Sequence, residues 1–157
     1  MANAAASLAI VIAVLSTAVV YGTDVFCAVV LRPALAAIDD RALVAVTGNV
    51  HRYGDRRMPV PGVIGIVAAV LGFVLAASAG QSGTAIAAAI AVALLLIWLV
   101  LYLRISVPIN RQLAAAADAG DTPANARELQ RQWDRIINAR AVIQGAAVAA
   151  LCVALVV

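Results

Sequence analysis

The chain has 157 residues, of which 65% are hydrophobic and 12% charged, with a net charge of +3 and a mean hydropathy of +1.03. Soluble domains average about 45–50% apolar residues, so this composition excludes an ordinary soluble enzyme and points to an integral membrane protein. The positive charge needs no nucleic-acid partner: no aromatic residues interleave with the basic ones as a base-stacking groove requires, and anionic lipid head groups suit such a surface.

An apolar run of about 20 residues crosses a bilayer, and four runs qualify, at residues 4–31, 60–79, 84–107 and 136–157. The expected fold is all-α, a polytopic membrane protein forming one antiparallel up-down four-helix transmembrane bundle over residues 1–157, with short cytoplasmic helical extensions. The first run follows no basic residue and outlasts the ~7–15 apolar residues of a secretory signal, so it reads as a retained helix. It ends at "LRP", where Pro33 is expected to punctuate the chain as it leaves the bilayer.

Asp39 and Asp40 then open an amphipathic stretch in which Leu43, Val46, Val50 and Tyr53 recur at helical spacing. The pattern predicts a helix over 40–53, closed by Gly54 and Pro59, that either lies along the membrane face or stands out from it. The second run carries Gly62, Gly65, Ala68, Ala69 and Gly72, small residues that let helices approach closely, and "GQSG" turns it straight back into the third. Beyond Pro108, "GDTP" reads as a new helix start, with Asp121 or Thr122 as N-cap and Pro123 at the first helical position, and the helical pattern continues to Val157. The two hairpins echo one another. Each meets a proline, Pro33 or Pro108, and carries an acidic, arginine-rich segment before returning, as in a parallel repeat.

All 11 basic residues are arginines, placed in or beside the segments joining runs one to two and three to four. Basic loops favour the cytoplasmic side, so both termini are expected outside a cell's inner (plasma) membrane. The lack of lysine among so many alanines points to a GC-rich bacterial genome. Cys27 and Cys152 fall at different membrane depths, too far apart for a disulfide, and read as buried, inert residues.

Polar residues inside apolar runs are the candidates for function. Asp24 lies two turns inside the first helix, with Tyr21 and Cys27 on the same face. An intramembrane carboxylate is unfavourable unless paired or wetted, so Asp24 is either a structural partner for Arg104 or Arg140 or a functional group, and is expected to share a network with Arg140. The fourth run presents Trp133, Ile137, Arg140 and Gln144 along one face with Asn138 to the side. His51, the only histidine, has Asp55 four residues on, a spacing that equally fits a solvated helical pair. With Asn110 and Arg111 from "PINR", these residues come from every helix end on the arginine-rich side, and polar groups over an apolar bundle make a small-molecule pocket.

"VPINRQL" followed by "QWDRIINAR", together with "GTDVF", "LRPAL" and "HRYGDRRMP", resembles the small four-helix membrane family called anthrone oxygenase-like, long catalogued as a domain of unknown function. Ile137 stands where members often carry histidine, four residues after the tryptophan, so any acid/base role at that position does not carry over. The resemblance implies oxidation of anthrones to anthraquinones by O2 without metal or flavin. On that reading His51 is the base by intrinsic pKa, giving activity that rises through a value near that of imidazole. Asp24 orients it or replaces it, and Arg111, Arg140 and Asn138 hold the anion; Tyr21, Asn110, Trp133 and Gln144 contact a flat aromatic substrate drawn from the membrane lipids. No Gly-rich phosphate motif or metal-ligand spacing calls for a cofactor. The alternatives are a non-enzymatic subunit or assembly protein, or a homo-oligomer, using its Gly/Ala faces as the interface, and thirdly a small transporter with Asp24 as proton carrier.

Overall fold

The computed structural model describes residues 2–157. Its helices are α1 (Ala2–Phe26), α2 (Arg32–Ala36), α3 (Asp40–Arg57), α4 (Pro59–Ser78), α5 (Ser82–Leu101), α6 (Val107–Ala119) and α7 (Ala126–Ala154), with π-helical turns at Cys27–Leu31 and Tyr102–Ser106. Four continuous helical stretches are long and apolar enough to cross a membrane: Ala4–Ala36, Pro59–Ser78, Ser82–Ala119 and Ala126–Ala154. The protein is an all-helical, polytopic membrane bundle.

Neither proline ends its helix. Pro33 and Pro108 each lie two residues beyond a π turn, and the helix runs on through α2 and α6. A proline cannot donate to the carbonyl four residues back, and its ring crowds that carbonyl; the wider turn just before it absorbs the mismatch. In the turns Arg32 N–H donates to Cys27 O and Val107 N–H to Tyr102 O, five residues back. The hairpin echo in the sequence thus has a backbone counterpart, a π turn with proline at the same offset.

The bundle packs α1 against α4, α4 against α5, α5 against α7 and α7 against α1, each neighbour in sequence being a neighbour in space. Its core is made of small residues: Ala13, Ala69, Ala88, Ala91 and Ala147 are fully buried beside Ile10 and Leu151. The larger aliphatic residues Val142, Val63, Ile86 and Leu15 face outward, as expected where lipid tails are the solvent and close backbone approach holds helices together. Gly65 lies against Thr17 and Gly72 against Ile10, so the small-residue face of α4 is used inside the bundle, on α1. The short connection at Ala79–Gln81 passes through Gly80 with φ +71°, and α6 ends on Gly120 with φ +65°, both in the left-handed region that glycine tolerates.

At the arginine-rich end α3 packs along α6 and so stands out from the bundle. Asp39 caps α3, accepting from Ala42 N–H at 2.8 Å, and α3 continues past Tyr53 and Gly54 to Arg57, where Pro59 takes the first position of α4. Arg52 pairs with Asp118 across α3 and α6. Arg127 ties α7 to the preceding hairpin: its Nε donates to Asp40 Oδ1 at 2.6 Å, its Nη1 to Leu35 O at 3.1 Å and its Nη2 to Ile38 O, satisfying carbonyls that a helix end leaves free.

Two further expectations need correction. The fourth helix starts at Ala126 behind Asn125, not at Pro123, because Asp121 folds back to accept from its neighbour Thr122 N–H at 2.7 Å and caps no helix. Cys152 is exposed, whereas Cys27 is buried, and both thiols are free; residue 152 falls on the lipid-side face of α7, next to the fully buried Leu151.

Candidate functional site

A cavity of about 460 Å³ opens at the arginine-rich end of the bundle. Elements from the whole chain contribute to its wall: Asp24 from α1 and Cys27 from the first π turn, His51 and Asp55 from α3, Gly62 and Val63 from α4, Trp98 from α5, Tyr102 from the second π turn, Asn110 and Arg111 from α6, and Trp133 and Arg140 from α7. The π turns set the register of the helices as they reach the cavity, so the proline-linked backbone irregularity bears directly on the site.

Arg140 is the centre of the polar wall. It is 6% exposed, and its Nη2 donates to Asp24 Oδ1 at 2.7 Å while its Nη1 donates to Ser106 Oγ at 2.9 Å. Asp24 Oδ2 accepts from Trp98 Nε1 at 3.0 Å, so both carboxylate oxygens are engaged. The guanidinium also lies over the rings of Trp98 and Tyr102, 5.5 and 5.3 Å from their centroids, a cation–π arrangement that is strongest away from water. Those two rings stack on each other with 3° between planes. Four segments of the bundle therefore meet at one ion pair, which a low-dielectric interior strengthens only because its hydrogen bonds are made.

His51 lines the same cavity, buried on α3, its ring 5.5 Å from that of Trp133. Burial pushes its pKa down to about 4; the Asp55 carboxylate opposes that shift and the Arg140 cation adds to it. His51 is thus a neutral imidazole at neutral pH, and the expected titration near the ordinary imidazole value is corrected by its desolvation. Asp55 is no solvated partner of His51. It is half-buried, and its Oδ1 accepts from Tyr102 O–H at 2.8 Å and from Asn110 Nδ2 at 2.9 Å. Four buried polar atoms of the wall, His51 Nε2, Asn110 Oδ1, Trp133 Nε1 and Arg140 Nε, have no partner in the protein. Unpaired buried polar atoms are rare in native structures and gather where a ligand or water completes them.

Asn49, at the start of the His51-bearing turn of α3, through Cys152 on α7 match the anthrone oxygenase family over residues 49–152. The chain belongs to that family. No curated protein and no solved structure matches it. Within this family member the match takes in His51, Asn110, Arg111, Trp133 and Arg140 and leaves Asp24 outside. Six residues singled out in the sequence, Asp24, His51, Asn110, Arg111, Trp133 and Arg140, line the cavity together.

Three others do not line it. Asn138 is exposed, two positions before Arg140 and so on another face of α7. Tyr21 lies against Gly145, filling the contact between α1 and α7, and Gln144 is buried one turn beyond Arg140 with its Oε1 unpaired. Ile137, four residues after Trp133, is fully buried in one cluster with Leu43, Leu113 and Trp133. The wall also holds Trp98, Tyr102 and Asp55, with Ser106 behind it, none singled out from the sequence as a site residue. Among the described residues, no three of His, Cys, Asp or Glu come together as a metal site.

Proposed function

We propose that this protein oxidises a flat phenolic or anthrone-like aromatic with O2 in this cavity, using no metal or flavin. The observation that carries the reading is the pairing, in one cavity of about 460 Å³, of a neutral buried His51 with a fixed Arg140 cation beside stacked aromatic rings. The ring methylene of an anthrone lies between two aryl rings, across the central ring from the carbonyl, and is acidic because its anion is delocalised through those rings onto the carbonyl oxygen. His51 takes that proton; the resulting imidazolium and Arg140 stabilise the enolate as its charge develops. His51 is a weak base in the unliganded site, and the substrate anion beside it raises its proton affinity as the transfer proceeds.

The anion passes one electron to O2, and the carbon radical and superoxide combine to a peroxide. Loss of the second methylene proton, with cleavage of the O–O bond, gives the ketone and water. Over the whole reaction CH2 and O2 become C=O and H2O, with no other reductant needed. Arg111, exposed at the rim, adds positive charge toward the same oxygen, and Asn110 and Trp133 contribute an acceptor and a donor to the wall.

The test is oxygen uptake and quinone absorbance with a simple anthrone and nanodisc-reconstituted protein under 18O2. One labelled oxygen is expected in the quinone for each O2 consumed. Well-folded protein that binds the anthrone but accelerates neither signal contradicts the oxygenase reading. The orientation belongs to the same proposal: arginine-rich end in the cytoplasm, both termini outside.

A further inference from the structure

The cavity wall is graded. At its deep end stand Asp24, Asn110, Trp133 and Arg140, each no more than 6% exposed; at its outer side stand Val50, Val63 and Leu103, which are 41%, 59% and 52% exposed. Pro59 and Thr23 complete that exposed rim, and the Thr23 hydroxyl is taken up within its own helix, donating to Val19 O at 2.9 Å, so the rim shows its methyl group rather than a free polar atom. Val63 lies in the apolar stretch Pro59–Ser78 and Leu103 in Ser82–Ala119. One turn further from the arginine-rich end, Ile66 and Leu99 extend the same two lining faces. Val50 belongs to α3, outside these stretches, but the Val63 and Leu103 side of the mouth is aliphatic surface on two stretches apolar enough to cross a membrane, where the surrounding solvent is lipid tails rather than water.

We propose that ligands reach this cavity sideways from the bilayer, past Val63 of α4 and Leu103 of the second π turn, and that the site selects uncharged aromatics dissolved in the membrane over water-soluble anionic ones. This rests on the proposed aromatic substrate and adds its route and its charge state. An uncharged aromatic is concentrated in the hydrocarbon and needs no dehydration at such a mouth, whereas a sulfonate must lose its water before passing the same rim. Arg111, exposed at the polar margin of the cavity, would instead favour the anion if the working mouth faced water, so the two routes predict opposite selectivity.

The chain has two tryptophans, Trp98 and Trp133, and both line the cavity, so quenching of intrinsic fluorescence reports occupancy without turnover. Anthraquinone and anthraquinone-2-sulfonate are the probes, applied to protein in nanodiscs by stopped flow. Saturable quenching by anthraquinone should follow its mole fraction in the lipid and not its total concentration, and the sulfonate should be excluded. Val63→Phe with Leu103→Phe, which narrows the rim, should slow association about tenfold or more, a barrier increase of roughly 1.4 kcal/mol. Val74→Phe, on an exposed part of α4 away from the cavity, should leave it unchanged and controls for folding. Quenching by the sulfonate as fast as by anthraquinone, or an unchanged rate in the rim variant, overturns lateral access. Absence of saturable quenching by either probe in folded protein overturns it as well, whereas lateral binding without oxygen uptake leaves it standing and removes only the oxygenase chemistry.

Discussion

Arg140 commits two of its nitrogens to Asp24 and Ser106 and lies against two aromatic faces, so its guanidinium is held in place, with its Nε left without a protein partner. Removing Asp24 leaves that cation buried in an apolar bundle, and breaking such a pair from one side costs about 3–5 kcal/mol. Asp24→Asn and Arg140→Met should each lower the thermal unfolding temperature strongly in detergent, while the double variant should recover part of the loss. Additive losses in that double-mutant cycle would show two independent sites. His51 makes a second residue-scale prediction. Its folded pKa of about 4 lies below the ordinary value of 6.5, so the unfolded state binds the proton more readily between those values. The stability this group contributes is complete above about pH 6.5 and is lost as pH falls toward 4. Thermal unfolding followed over that range should show a steeper acid loss for the wild type than for His51→Gln; equal slopes would mean that the imidazole is not desolvated.

The helix α3 and its contact with α6 depend on one missing side chain. A Cβ at Gly48 would collide with Ala117 Cβ and come within 2.7 Å of the Leu113 carbonyl oxygen, and backbone cannot yield as a flexible side chain can. Gly48→Ala should therefore destabilise the protein by about 1–3 kcal/mol, whereas Gly22→Ala on α1, with nothing within 4 Å, should be neutral or gain up to about 1 kcal/mol from helix propensity; chemical denaturation of both in detergent decides between them. Much at this scale is legible in the sequence. Hydropathy locates four membrane crossings, and the amphipathic spacing that follows Asp39 and Asp40 places the start of α3. The ends of elements are less so: Pro33 and Pro108 read as stops because a π turn, which relieves the proline, leaves no mark in hydrophobic periodicity. Gly48 looks like an ordinary helix residue until α6 is brought against it.

For the whole molecule, the site comes from convergence of distant segments. Depth in the membrane was enough to suggest Asp24 with Arg140, 116 residues apart. It could not find Trp98, 74 residues from the carboxylate it binds, because a tryptophan in an apolar run looks like any other lipid-compatible side chain. Tyr102 and Ser106 are hidden for the same reason, and the sequence leaves Asp55 open as a solvated partner of His51 because its acceptor role depends on Tyr102 and Asn110 from the other hairpin. Charge, in contrast, predicts orientation directly. With Cys27 and Cys152 replaced, single cysteines at the exposed positions Ser82 and Ala115 should label from outside intact cells at Ser82 only; labelling at Ala115 alone would invert the topology.

The central claim, that a desolvated His51 acts as the base for oxygen-dependent chemistry beside Arg140, is tested most directly by the pH profile of oxygen uptake with a simple anthrone in nanodiscs, for wild type and His51→Gln together. With His51 titrating near 4, the wild-type rate should show no rise through 6.5 between pH 5 and 9, and His51→Gln should be slower by roughly 100-fold or more at every pH, with Trp98 and Trp133 still quenched by anthraquinone. A folded His51→Gln protein that takes up oxygen at the wild-type rate would contradict the account.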